Sequence, residues 1–385
     1  MDTNWDKLRE ECIDFTQRLI QTPSMSFEES TIADLAADEM KKLGFSEVWK
    51  DKIGNVNGRI PGEDRSSGTL VLNSHLDHVD PGDLSLWTAP PYSGEIVDGR
   101  IFGRGACDVK VAIAVQIYAI AALIRTGTIP KRDVVFSGVV QEEIGGAGAK
   151  YWVDHLDYPV ELVVLGEPSS NGLSLGHRGI YQLWVKFSGR SSHASVPGEN
   201  NPNYALASFI KRLNEEKSEL SSHPLLGQTT VAPTLIEVDT KSMNVTPAWS
   251  RVLLDFRSAS ESPDSLHEFV RRIAASSDPV LLPAISEPDG GELPTSNENL
   301  FGYYTPPENP IVDRVLGLVS EGMGWEPELS SYRFATDGRF FEPMGIDVIG
   351  YSPGEERLAH TSQESISITM LADALRGYVS LLQDF

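Results

Sequence analysis

Apolar and polar positions follow two rhythms along this chain. In residues 5–20 the apolar Leu8, Cys12, Phe15 and Leu19 recur at steps of three to four, which marks one face of a helix. Residues 31–43 repeat the pattern and stop at Gly44, a typical residue for the turn that ends helices. Short apolar runs then alternate with helical ones: 69–74, 133–140 and 161–166 read as strands, 109–124 and 148–155 as helices. Apolar strands separated by helices predict an α/β layer built on a buried, mostly parallel sheet.

The texture changes after Gly179. Tyr181, Leu183, Val185 and Phe187 alternate with Gln182, Trp184 and Lys186, the two-residue rhythm of a strand. A helical stretch at 204–220, strands at 229–238 and 250–256, and a helix at 265–275 follow. That β-α-β-β-α order predicts a small α+β sandwich with two helices on one face of its sheet. The chain leaves this module through a stretch rich in Pro, Gly and Asn at 288–310. A helix at 311–321, a strand at 347–350 and a helix at 369–382 return to the first texture. The expected organisation is an α/β domain, residues 1–178 and 296–385, interrupted by an inserted α+β domain, residues 179–295. No internal repeat or long low-complexity tract competes with it.

Composition narrows the partners. A chain of 385 residues suffices for two or three domains with real cores. Lys and Arg total 32 against 55 Asp and Glu, a formal charge of −23. Such a surface repels phosphate backbones and anionic lipid, so neither nucleic acid nor a membrane is an expected partner. The longest near-apolar run, 111–124, is broken by Gln116 and Tyr118. It is too short for the ~30 Å hydrocarbon layer and reads as a buried helix. Met1-Asp2-Thr3-Asn4-Trp5-Asp6-Lys7 has no apolar stretch after a basic start, so no secretory signal is expected. Two cysteines, Cys12 and Cys107, cannot build a disulfide framework. A reducing cytoplasm is the natural setting, and any metal site must rely on His, Asp and Glu.

Those residue types gather where ligands gather in open α/β sheets, at the carboxyl ends of strands. Asn73-Ser74-His75-Leu76-Asp77 closes one apolar strand and places His75 and Asp77 on one face of extended chain. A carboxylate beside a metal-binding imidazole fixes its tautomer and raises its basicity. Gly103-Arg104-Gly105-Ala106-Cys107-Asp108 leads into the apolar helix, whose N-terminal dipole can steady the Asp108 carboxylate. The Gly-x-Gly there lacks the third glycine and the preceding strand of a dinucleotide site. Gln141-Glu142-Glu143-Ile144-Gly145 ends another apolar run, where adjacent carboxylates call for a cation or a shared proton. Gly166-Glu167-Pro168 ends a third, and Leu358-Ala359-His360-Thr361 precedes the last helix. Together they form an oxygen and nitrogen donor set suited to Zn²⁺ and able to hold Mn²⁺ or Co²⁺.

The ordered set resembles the ArgE/DapE family of metallohydrolases, which includes aminoacylases and carboxypeptidase G type enzymes. The likeness runs from the His75 motif to the His360 motif and takes in the inserted module. It implies a three-layer α/β/α zinc-peptidase-like domain carrying a ferredoxin-like lid and dimerisation domain. It also implies two divalent metal ions, Zn²⁺ first, with Asp108 bridging them. His75 and Glu167 would complete one metal, and Glu143 and His360 the other. Asp77 would orient His75, and Glu142 would be the general base for a hydroxide shared by the metals. In Gly189-Arg190-Ser191-Ser192-His193-Ala194, His193 matches a histidine that reaches the neighbouring subunit's site in a homodimer. Arg178 in Gly176-His177-Arg178-Gly179, Arg257 in Asp255-Phe256-Arg257, Asn244 and Gly338 match substrate-contacting positions. Arginine suits a substrate carboxylate through its planar fork, with ordinary surface pairing as the alternative. One departure stands out: Val111 follows Lys110 where many relatives have glycine.

Other readings are weaker. Gly350-Tyr351-Ser352-Pro353-Gly354 fits the serine-hydrolase pattern Gly-x-Ser-x-Gly. Pro353 has no N–H to donate to an oxyanion, however. A metal-stabilised binding protein without activity has no use for Glu142. The expectation is a cytoplasmic metallohydrolase that removes the acyl group of an N-acyl amino acid, with cleavage of short peptides as the alternative. Thr336-Asp337-Gly338-Arg339 resembles the desuccinylase branch and His177 other deacylases, so the acyl group stays open.

Overall fold

The computed structural model describes residues 4–64, 67–259, 261–283 and 302–385. Helices α1 (Trp5–Ile20) and α2 (Ser30–Leu43) form where the three-to-four periodicity places them. The Asn4 side chain accepts the Lys7 amide at the start of α1, and Gly44, at φ 91°, ends α2 in the left-handed region. The main sheet contains β1 (Glu47–Lys50), β2 (Val56–Ile60), β3 (Thr69–His75), β4 (Val134–Val139), β5 (Val160–Leu165) and β6 (Leu173–His177). The strands β7 (Gly179–Ser188), β8 (Thr230–Val238), β9 (Trp249–Ser258) and β10 (Val280–Pro283) build a second sheet. The chain then returns to the first sheet with β11 (Tyr303–Tyr304), β12 (Leu329–Tyr332) and β13 (Asp347–Tyr351).

The main sheet runs β1-β2-β4-β3-β5-β13-β6-β11, with β12 also paired to β6. Successive residues feed opposite faces, as a two-residue period requires. Leu70, Leu72, Val134, Phe136, Leu162 and Val164 pack with α1, α2, α3 (Val111–Thr126), α7 (Pro310–Met323) and α9 (Ile368–Asp384). Val71, Val135, Val163 and Leu165 pack on the other side with α4 (Ala147–Asp154) and α8 (Gly338–Phe341). The result is a three-layer α/β/α fold. Every residue of α3 from Val111 to Leu123 is buried, so its apolar run is the central helix of a core. Val111 itself is buried at the helix start without disturbing the α3 ladder.

Two expectations need correction. The sheet is parallel through its middle, β4-β3-β5-β13, and between β12 and β6; β2 on one flank and β6 and β11 on the other pair antiparallel with their neighbours. Only β1 and β2 are joined by a short connection; the other antiparallel neighbours meet from distant parts of the chain. The central helix begins at Val111, not at 109, because Ala106–Lys110 forms a wider turn first.

The second sheet runs β8-β9-β7-β10 and is antiparallel throughout. With α5 (Pro202–Glu216) and α6 (Pro263–Ala274) the order is β-α-β-β-α-β, the ferredoxin-like arrangement. Tyr181, Leu183, Val185 and Phe187 meet Leu206, Phe209, Val252, Leu254, Phe269 and Ile273 in a separate apolar core under those two helices. The 295/296 boundary and most of the 288–310 stretch lie outside the described residues.

One loop ties the edge of the main sheet to the segment after β4. Asp51 accepts the amides of Ile53, Gly54 and Asn55 at 3.2, 3.1 and 3.0 Å and the Asn55 side chain at 2.8 Å. Fully buried Asn55 then accepts the Val140 amide at 3.0 Å and donates to the Gly148 carbonyl at 2.9 Å. These two bonds bracket the turn that carries Glu142 and Glu143. Asn55→Ala leaves buried backbone groups unpaired and is expected to cost about 1–3 kcal/mol. Urea unfolding checks this, and an unchanged midpoint contradicts it.

Candidate active site

Five side chains from distant stretches meet at the carboxyl end of the parallel strands. His75 closes β3, Glu143 lies in the turn after β4, and Glu167 follows β5 by two residues. Asp108 sits in the turn before α3, and His360 in the loop between β13 and α9. His75 Nε2 lies 3.1 Å from Asp108 Oδ1, and His360 Nε2 lies 3.3 Å from Asp108 Oδ2. His360 Nε2 is also 3.0 Å from Glu143 Oε1. Donor atoms of His75, Asp108 and Glu167 fall within 4.8 Å of one another, as do those of Asp108, Glu143 and His360. Asp108 belongs to both groups, with one oxygen turned to each. A donor set of one imidazole and two carboxylates on each side suits a divalent cation of borderline hardness.

The charges show what the cluster needs. Burial alone would raise the Asp108 carboxyl, but hydrogen bonds from His360 and His75 hold it below the usual carboxylate range. Hydrogen bonds to Asp108 and Glu143 push the His360 imidazole up to about 10. Burial opposes charge on His75, yet Asp108 and Asp77 raise it well above its ordinary value. Burial, reinforced by the charges of Glu167 and Asp337, lifts the Glu142 carboxyl well above its usual range. Burial lifts Glu167 in the same direction. Without a cation, this site keeps protons that it would shed at neutral pH in water.

Asp77 has a second task beside His75. Its Oδ1 is 3.5 Å from His75 Nδ1, which lies closer, at 2.9 Å, to the Asp77 backbone carbonyl. The Asp77 carboxylate accepts the amides of Glu142 at 3.0 Å and Glu143 at 3.2 Å, and the Ser26 hydroxyl at 2.7 Å. It therefore clamps the turn that presents both glutamates.

The Asp108 turn has a clamp of its own. Fully buried Glu364 accepts the amides of Cys107 and Asp108 at 3.1 and 3.2 Å through Oε1, and Arg104 at 2.5 Å through Oε2. Glu364 follows His360 by four residues, so it joins the two loops that meet at the cluster. Sequence reasoning missed Glu364; an acidic residue in a polar stretch reads as solvated.

A cavity of about 390 Å³ opens over the cluster, walled by Glu142, Glu143, Glu167, His360, Ile180 and Phe334. Arg339 reaches into this wall and was also missed, although it directly follows Gly338. Buried Gly338 lies against the Tyr303 ring, which leaves no space for a side chain there. Among the described residues neither carboxylate oxygen of buried Asp337 has a hydrogen-bond partner, and the Arg339 guanidinium stands 4.0 Å from it. The other expected substrate residues lie elsewhere. Arg178 donates to the Gln228 carbonyl at 3.2 Å, and Arg257 pairs with Asp255 at 2.8 Å. His193 and Asn244 are exposed on neighbouring segments of the inserted module, with His193 Nδ1 2.7 Å from Ser195 Oγ. Ser352 is fully buried beneath Gly354, which rules it out as an accessible nucleophile.

Comparisons with known proteins point to one family and one fold. The model of peptidase family M20/M25/M40 matches residues 71–384. A succinyl-diaminopimelate desuccinylase of Paracoccus denitrificans is 30% identical over 338 residues, 84% of this chain and 86% of that protein. A protein of Aspergillus terreus described as a probable carboxypeptidase is 28% identical over 400 residues, 96% of this chain and 86% of its own. Among solved structures, the Bacillus subtilis YXEP protein, titled a dinuclear metal-binding peptidase of the M20 family, superposes with a TM-score of 0.70. It is 16% identical and covers 99% of this chain and all of that one, which speaks to the fold.

Because His360 holds its proton up to about pH 10 beside Asp108 and Glu143, a cation must displace that proton to reach the ring. Zinc titrated into ion-free protein at pH 7 is expected to release at least one proton, with affinity rising as pH rises. Calorimetry in buffers of different ionisation enthalpy reads this directly; an enthalpy independent of buffer contradicts it. Glu364→Gln, which weakens the clamp on Asp108, is expected to lower zinc affinity about 10–100-fold in the same titration.

Proposed function

The chain belongs to peptidase family M20/M25/M40, and from that premise we propose that it removes the acyl group from N-acyl amino acids. It is a metallohydrolase of linear amide or peptide bonds. The observation that carries the finer reading is the small cavity that Arg339 lines together with five carboxylates, Glu356 among them, and the His360 imidazole. A substrate with a free carboxylate gains a planar, two-pronged partner there, while its amide lies over the cluster.

His75, Asp108 and Glu167 would hold one cation, and Asp108, Glu143 and His360 the other, with Zn²⁺ the first candidate and Co²⁺ or Mn²⁺ as alternatives. When bound, such a pair polarises the amide carbonyl and acidifies water. The chain's own part is proton management and positioning. Glu142, held by its backbone to Asp77, takes a proton from the attacking water as the C–O bond forms. It returns that proton to the nitrogen as the C–N bond breaks, leaving a carboxylate and a free amine. Burial and the charges of Glu167 and Asp337 favour its protonated form in the ion-free site; it serves as base in the deprotonated form that bound cations would favour.

The inserted module supplies the other part of the proposal. Strand β8 is an open edge with Leu235 53% and Ile236 60% exposed, a surface suited to pairing with a second copy. In such a homodimer, the partner subunit's His193 and Asn244 would complete the cavity, where they would hold the developing oxyanion and the substrate. Cleavage of short peptides is the second reading, supported by the carboxypeptidase relative that matches 96% of the chain.

The test is a turnover screen of N-succinyl and N-acetyl amino acids against dipeptides, with zinc, cobalt or manganese added after chelation. N-acyl amino acids are expected to turn over fastest; a clear preference for dipeptides selects the second reading. Glu142→Gln is expected to bind zinc with unchanged stoichiometry and lose ~100-fold or more in kcat. Turnover retained in this variant removes Glu142 from the mechanism, and turnover retained after verified metal removal removes the metals.

A further inference from the structure

A second cavity, about 430 Å³, lies outside the catalytic one, between the edge strands β1 and β2 and the end of α4. Its origin is architectural. Helix α4 has only eight residues and covers the centre of its face of the sheet, so the edge strands are left without a helix. Trp49, Tyr151, Trp152, His155 and Tyr158 bring rings to its wall, and the charged Lys50, Asp51, Lys52 and Asp157 line it as well. Tyr151 and His155 stack on each other with centroids 3.8 Å apart and planes 18° from parallel. Trp152 meets Tyr158 edge to face at 6.2 Å.

Asn57 also lines this cavity and is 1% exposed. It points to the face of β2 opposite Val56 and Ile60, which belong to the core on the other side. Among the described residues neither its Oδ1 nor its Nδ2 has a hydrogen-bond partner, and the Tyr158 hydroxyl has none either. Trp49 and Ser137 flank it in the ladder, and the Ser137 hydroxyl is likewise unpaired among the described residues. Buried carboxamides in folded proteins are almost always paired, because leaving one unpaired is costly. An apolar residue would fill this place in the sheet without that cost. A carboxamide with donor and acceptor both free, set among flat rings, is complementary to a flat molecule with an acceptor and a donor side by side.

We propose that this aromatic cavity, with Asn57 at its inner end, is a second ligand site for a small planar nitrogen heterocycle bearing adjacent N–H and C=O groups. The rings supply stacking surface, and the carboxamide reads the amide-like edge in a two-point contact. About 430 Å³ accommodates one or two fused rings. No residue of this cavity lines the catalytic one, so binding does not depend on the metal cluster.

The probes are hypoxanthine and uracil, which carry that edge, and indole, a flat ring system without it. Each is titrated into the full-length protein and followed by saturation-transfer NMR and calorimetry. Hypoxanthine or uracil is expected to bind saturably with Kd below ~1 mM. Asn57→Leu is expected to weaken that binding about tenfold or more, while Glu142→Gln leaves it unchanged. Asn57→Leu is also expected to melt no lower than the parent, since it removes an unpaired buried amide. The proposal is overturned by no saturable binding of either heterocycle at ~10 mM, by indole binding as tightly, or by equal binding to Asn57→Leu. It is equally overturned by loss of binding in Glu142→Gln, or by an Asn57→Leu protein that melts several degrees lower, which would make Asn57 a structural residue.

Discussion

Crowded negative charge in a poorly hydrated cavity is the constraint from which the rest of this structure follows. Asp108, Glu142, Glu143 and Glu167 face one another over a few ångströms. Two unit charges 4 Å apart repel by about 4 kcal/mol at an effective dielectric constant of 20. Such a group survives only with compensating positive charge. In the ion-free state protons supply it, which is why both imidazoles and the Glu142 and Glu167 carboxyls hold them so firmly. Divalent cations supply the same compensation more compactly, and Asp108, with an oxygen toward each group of donors, is placed to share itself between two.

Repelling groups do not stay together by themselves, so the fold holds each by its backbone. Asp77 grips the amides of Glu142 and Glu143, Glu364 grips those of Cys107 and Asp108, and Asn55 fastens both ends of the glutamate turn to the sheet edge. These clamps are themselves buried polar groups, stable because each finds partners of fixed geometry. A parallel sheet supplies the frame. Its strands end together on one side, so His75, Glu143 and Glu167 arrive at the same place from three separate segments.

How much of this could be read from the sequence depends on the length over which the signal is written. Periodicity over 5–20 and 31–43 marks helices that form almost residue for residue, since a buried face repeats at every turn. The alternation of Tyr181, Leu183, Val185 and Phe187 marks one buried face of β7 equally well. His75, Glu143 and Glu167 drew attention because they lie at the ends of apolar runs, whereas the places of Asp108 and His360 in the set came from the family resemblance. Strand direction at the sheet flanks was not legible, since a short apolar run looks the same either way. Glu364 and Arg339 escaped because their burial is decided by residues far away: Glu364 by Arg104 and the Asp108 turn, Arg339 by the loop around Asp337. Arg178 and Arg257 carried the right chemistry for a carboxylate, but local partners, the Gln228 carbonyl and Asp255, take up their guanidinium groups.

The position of Arg339 has a consequence for selectivity on the proposed reading. A substrate carboxylate approaching this cavity meets a field set by five acidic side chains, and the formal charge of −23 adds a long-range term of the same sign. A mobile surface arginine would lose much of its pull to solvent and to neighbouring acids, as Arg257 does to Asp255. Arg339 is 6% exposed, is anchored to the Thr336 carbonyl at 2.8 Å and packs over the Phe340 ring at 4.6 Å. Its charge is therefore fixed in a place of weak screening, where a carboxylate is attracted only if it reaches that one point. Uncharged amides gain nothing from it, and acids of the wrong length meet the repulsion without the compensation. Selection by a single buried cation inside an acidic cavity thus rejects most anions while retaining those whose amide falls over the cluster when their carboxylate is seated.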